Sequence, residues 1–149
     1  MKSYFLTIIL CLLVNIDIDK NNYYSALSSN DLDKINNMIE EIKSKQSTSI
    51  HNAYLGALIA KKAIFTTKIS SKITLFQEGT DLLENEIVNN PEITEYRFLR
   101  LILQEKCPPI LNYKKNIEED HNLINQKYNS LDDQLKKIIL NYSNESTIL

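Results

Sequence analysis

Two groups of side chains in this sequence have the types and spacing to do chemistry. Arg97 and Arg100 lie three positions apart in "YRFLRLIL" (96–103), and Glu118, Glu119, Asp120 and His121 follow in "NIEEDH" (116–121). The chain has 17 basic residues, and these are its only arginines. Asn, Ile and Lys are abundant, a sign of AT-rich coding, under which Lys stands wherever charge alone matters. A guanidinium forks onto a carboxylate through two parallel hydrogen bonds, and an ammonium cannot. On a helix, positions 97 and 100 share a face. The expected role is therefore structural: Arg97 or Arg100 pairs with Glu118, Glu119 or Asp120 and locks the last helices onto the arginine-bearing one. The functional alternative is capture of an anionic ligand, or of a partner's C-terminal carboxylate.

Other chemistry finds little support. Two glycines cannot build a phosphate-cradling loop. His51 and His121 sit in different segments, and a metal site needs clustered ligands. The ligand-type residues of "EEDH" are contiguous, so on a helix they point around it and do not converge on one ion. Cys107 precedes "PP" with no base nearby, which suits a small half-buried residue better than a nucleophile. Asp132 and Asp133 suit the first turn of the last helix, next to its dipole. No pair of carboxylates is selected for hydrolysis. The reading is of no catalytic residue, no metal and no cofactor, with Tyr54 and Tyr113 as candidates to line a concave face.

The elements that must position these residues are helical. Leu32, Ile35, Ile39 and Ile42 recur at helical spacing behind the capping residues of "SSND" (28–31). After a polar break at 44–49, a helix from Ile50 to Phe65 carries Ala53, Gly56, Ala57 and Ala60, a small-residue face for close packing. A second break is expected at 66–72. A long helix marked by Ile73, Phe76, Leu83 and Ile87 stops before Pro91. The helix from Glu92 to Lys106 is apolar over much of its circumference and should be the most buried. Pro108 and Pro109 end it. Two amphipathic helices and a frayed tail at 143–149 complete the chain.

Composition agrees. With 149 residues, 43% of them hydrophobic and 24% charged, the chain makes one domain with a real core. A net charge of −2 offers no basic footprint for nucleic acid. Two glycines and three prolines argue against a hairpin-rich β architecture. The opening "MKSYFLTIILCLLVNI" (1–16) has one Lys and an apolar run from Tyr4 to Val14, right for a signal peptide and short of the roughly 20 residues of a membrane span. Export to a bacterial periplasm or envelope is expected. The membrane would be touched only through this segment, if it stays as an anchor. Its removal leaves Cys107 alone, so no internal disulfide is possible.

The stretch "GTDLLENEIVNNPEITEYRFL" (79–99) resembles a tetratricopeptide repeat passing into its successor. Pro91 stands at the inter-repeat proline, and Gly79 and Leu83 at packing positions. Glu86 and Arg100 depart from the pattern, at a usual Ala and near a usual Gly. Three further pieces, "NAYLGALIAKKA" (52–63), "EYRFLRLILQEKCPPIL" (95–111) and "NIEED" (116–120), together resemble a family of short, uncharacterised exported helical proteins of Gram-negative bacteria over about residues 20–128. That resemblance implies a fold and an export signal, and no activity.

The sequence thus leads to an all-α domain at 17–142, about six helices in antiparallel, TPR-like pairs (an α-α superhelix) after an N-terminal signal. The expected function is a non-enzymatic protein-interaction or scaffold module holding an envelope protein or peptide segment. The alternative is an envelope enzyme or small anionic-ligand binder built on Arg97, Arg100 and Glu118–His121.

Overall fold

The structure is a computed structural model that describes residues 17–147 and 149; the expected leader at 1–16 lies outside the described residues. Among the described residues there are seven α-helices and no strand. They are α1 (Lys20–Ser28), α2 (Leu32–Lys43), α3 (Ser49–Lys62), α4 (Ile69–Asn89), α5 (Thr94–Lys106), α6 (Ile117–Lys127) and α7 (Asp133–Ser143). The Tyr-rich stretch at 20–28, read from the sequence as a short helix, is one of them and buries Tyr23, Tyr24 and Leu27.

Helix starts are set by side chains that accept from orphan backbone donors. Asp19 accepts from the Asn22 amide, Asp31 from Asp33 and Lys34, Thr48 from His51, and Asp132 from Leu135. The break expected at 66–72 is shorter. The Lys72 amide already bonds the Lys68 carbonyl at 2.9 Å, so α4 begins at Ile69. The serines and threonines there look loop-like in sequence, yet Thr74 satisfies its hydroxyl on the Ser70 carbonyl at 3.1 Å and stays helical.

At the centre, α5 buries nine of its thirteen residues, more than any other helix. Phe98, Leu99 and Leu101 on α5 are fully enclosed, as are Tyr23 of α1, Leu58 of α3 and Leu83 of α4. Helices α3 and α4 run antiparallel in backbone contact. The two glycines of the chain make this contact. A Cβ on Gly79 would stand 2.2 Å from the Ala60 backbone nitrogen, and one on Gly56 would stand 2.7 Å from the Gly79 carbonyl oxygen. No side chain fits there, so Gly is required by the approach of two backbones. On the far side of α5 the chain turns through Pro109–Leu111 and Asn112, whose φ of 49° is a left-handed value that Asn tolerates. This turn sends α6 back along α5.

The end of the chain is not frayed as expected. Glu105 accepts from the Ser146 hydroxyl at 3.0 Å, the Thr147 amide at 2.8 Å and the Thr147 hydroxyl at 3.1 Å, and the Tyr142 hydroxyl joins them. Burial alone would raise the pKa of Glu105, but these donors outweigh it and hold the carboxyl below its ordinary value. The tail has a half-buried acceptor to bind, which no local pattern in its own sequence announces.

Candidate functional site

Helix α6 lies against α5 so that Asp120, fully buried, faces the arginines. Arg100 forks onto it: Nε donates to Oδ2 at 2.7 Å and Nη2 to Oδ1 at 2.6 Å. Gln104 Nε2 adds a bond to Oδ2 at 2.9 Å, and Arg97 Nη1 adds one to Oδ1 at 3.2 Å. Arg97 also bonds Glu119 at 2.8 Å, and the remaining Arg100 nitrogen bonds Glu84 of α4 at 2.9 Å. The Tyr113 hydroxyl donates to the other oxygen of Glu84 at 2.6 Å, and the Asn116 amide donates to Gln104 at 2.9 Å. One cluster therefore ties α4, α5, α6 and the intervening link together.

Of the five residues singled out from the sequence, Arg97, Arg100, Glu119 and Asp120 meet here, while Glu118 is exposed and takes no part. Glu118 stands two residues, about half a turn, before Asp120, so the two face opposite sides of α6. His121 contacts Asn125 on the surface. Burial disfavours the Arg100 charge, but the hydrogen bonds and charge of Asp120, with Glu84 behind, more than offset it and raise its pKa. Asn116 first, then Arg97, hold Glu119 below the usual carboxylate range. Two guanidinium groups face three carboxylates (Glu84, Glu119, Asp120), so the cluster carries excess negative charge. It repels an added anion.

Three further glutamates on the inner faces are also occupied. Glu95 accepts from the Tyr54 hydroxyl at 2.6 Å, Tyr24 at 3.3 Å and Lys20 at 2.9 Å. Glu86 accepts from Ser49 at 2.5 Å and Asn52 at 3.0 Å. Glu105 holds the tail, as described above. Tyr54, expected on a concave face, is instead buried, stacked on Tyr23 at 3.8 Å between ring centres. Tyr113 is half-buried and committed to Glu84. Burial, then Glu95, raises the Tyr54 pKa, and burial, then Glu84, raises that of Tyr113, so both stay hydroxyl donors. Burial likewise pushes the Cys107 thiol up, away from the thiolate a nucleophile needs. Among the described residues, each buried carboxylate and phenol has a hydrogen-bond partner within the fold.

The open feature lies at the other end of α5. A cleft of about 720 Å³ runs between α1, the end of α3, the start of α4, α5 and α7. Its apolar walls include Leu27, Ala63, Phe76, Phe98, Ile102 and Leu103. Lys61, Lys72 and Lys106 also line it, and among the described residues none of the three is ion-paired. Partial burial, then the nearby charge of Lys106, lowers the pKa of Lys61. The one acid on the lining is the exposed Glu145. Sequence reasoning passed over these lysines because cations in the last turns of α3 and α5 are what the helix dipole favours. The signal that was there is Lys72, a cation in the first turn of α4, against the dipole.

Comparison with family models, with curated proteins and with solved structures finds no match for this chain.

Proposed function

We propose that the protein is an exported, non-enzymatic binding module of the bacterial envelope, TPR-like in its helix pairs, that holds its ligand in the cleft beside α5. The cleft is the observation that carries this reading. It has the size of a small-molecule site, its walls are mainly apolar, and three lysines against one exposed acid, Glu145, line it. The arginine cluster supports a framework role, because its charges are already satisfied. Its surplus of carboxylate weighs against the alternative of an anion or enzyme site on Arg97, Arg100 and Glu118–His121. A partner's protein segment is the second reading, favoured by Ile64, which lines the cleft while 51% exposed.

The test uses Nile red, a neutral dye whose emission shifts to the blue in apolar surroundings. The protein should bind it saturably at one site. Ile102→Trp, which fills the cleft from a half-buried position, should abolish binding with the helical circular dichroism unchanged. Asn141→Trp approaches from the exposed side and gives a second, gentler block. Absence of saturable binding by the unaltered protein overturns the reading. Export is checked separately, by finding the mature chain in the envelope fraction with its first residue near 17–20.

A further inference from the structure

We infer that the cleft takes a single-chain amphiphile with one carboxylate head group, a fatty acid in its simplest form; this rests on the reading of the cleft as the binding site. Away from their ends the helices around the cleft use their own amide and carbonyl groups internally, and the side chains facing it are mainly apolar, with Asn21, Ser25, Ser28, Asn30 and Asn141 as its neutral polar members. An extended peptide would enter with a peptide donor and acceptor at every residue and find few partners. A hydrocarbon chain enters with none to satisfy. An amphipathic helix satisfies its own backbone, but one turn fills roughly 420 Å³ at a 10 Å diameter. The cleft, at about 720 Å³, encloses less than two turns.

The head group follows from the charges. Lys61, Lys72 and Lys106 meet no carboxylate among the described residues, which is equally true of exposed lysines such as Lys115 and Lys137; what sets the three apart is that they line one apolar cleft. The dipole at helix ends explains cations in the last turns of α3 and α5. It does not explain why they converge on one apolar cleft, and it disfavours Lys72 in the first turn of α4. An anion seated beside Lys61 and Lys106 relieves the repulsion between those two, which line the cleft together with Lys72. The long lysine stems continue the apolar wall up to that point.

The experiment is displacement of Nile red by dodecanoate and by dodecanol, both below their aggregation concentrations, at low salt. Dodecanoate should bind roughly fivefold to tenfold more tightly than the alcohol. The preference should shrink in high salt and fall to less than about twofold in the double variant Lys61→Met, Lys106→Met, which keeps most of the stems and leaves Lys72 as the one cation of the three. Equal displacement by acid and alcohol from the unaltered protein overturns the head group while leaving the cleft as a site. Dye binding that neither amphiphile competes with overturns the ligand class alone. Stronger displacement by an acidic amphipathic peptide than by dodecanoate overturns it in favour of a protein segment. Failure of the dye to bind overturns the cleft reading and this inference together.

Discussion

Arg97 and Arg100 meet three carboxylates in the first half of α5, while Lys106 at its end meets none and stands near Lys61. The two regions lie on one helix, yet they use charge in opposite ways. In the interior, removing a guanidinium from water costs more than any one ion pair returns, so it persists only where several acceptors surround it. Asp120 and Glu84 provide that surround for Arg100, while Arg97 spends Nη1 on Glu119 and Asp120 and keeps one buried donor, Nε, without a partner among the described residues. At the cleft the ammonium groups reach water on flexible stems, so they survive unpaired. Charge that is cancelled inside the fold is architecture, and charge left open beside apolar walls is free for recognition.

The strongest way to break this contrast is Asp120→Ala. It strands Arg100 in the interior and should cost about 3–5 kcal/mol, or roughly 10–15 °C in thermal denaturation followed by circular dichroism. Arg100→Lys keeps the charge and loses the fork, and should cost about 1–3 kcal/mol. If Asp120→Ala cost less than about 1 kcal/mol, the first half of α5 would no longer count as a closed network.

Acid gives the next largest effect. The pKa values of Glu105 and Glu119 in the folded chain lie below their ordinary 4.5. Between the two values the unfolded chain binds more protons, so stability rises with pH across that window. The contribution is complete above about pH 4.5 and lost as pH falls through the lower, folded values. Hydrogen exchange at the Thr147 amide should therefore quicken first under mild acid, since that amide donates to Glu105. Glu105→Gln should make its exchange insensitive to pH in this range, after allowance for intrinsic rates; an unchanged acid response would place the tail's anchor elsewhere.

Smallest of all should be the stability change in Lys61→Met with Lys106→Met. Two lysines that repel each other and hold no partner should leave stability within about 0.5 kcal/mol of the unaltered protein. A loss above about 2 kcal/mol in urea titration would make these lysines part of the frame and erase the contrast.

What was legible in the sequence follows the same division. The pairing of Arg97 and Arg100 with Glu119 and Asp120 was readable because Arg was used where Lys would otherwise stand, and because a Pro-broken link folds the chain back. The close face on α3 was readable from Ala53, Gly56, Ala57 and Ala60. Glu84 and Gln104 were not, since a polar side chain on an amphipathic helix faces water or a neighbour depending on a small rotation. Glu86 and Glu95 did leave a trace. Glu86 adjoins Ile87 and follows Leu83 by three positions, on the apolar side of α4, where a carboxylate implies buried donors. The cleft left the weakest trace, because a space is defined by the placement of five separate segments and by no stretch of any one of them.

The contact between Gly56 and Gly79 has a mechanical side. Most packed helices slide past one another on side chains that change rotamer, and that compliance permits shear. Between α3 and α4 no side chain intervenes at this point, so the hairpin moves as one rigid strut. Any widening of the cleft to admit a chain must come from α1 and α7, which touch each other and contribute Leu27 and Ile138 to its walls. The gate and the strut are then different parts of the molecule, and a spectroscopic ruler between α1 and α3 should lengthen on opening while one between α3 and α4 stays fixed.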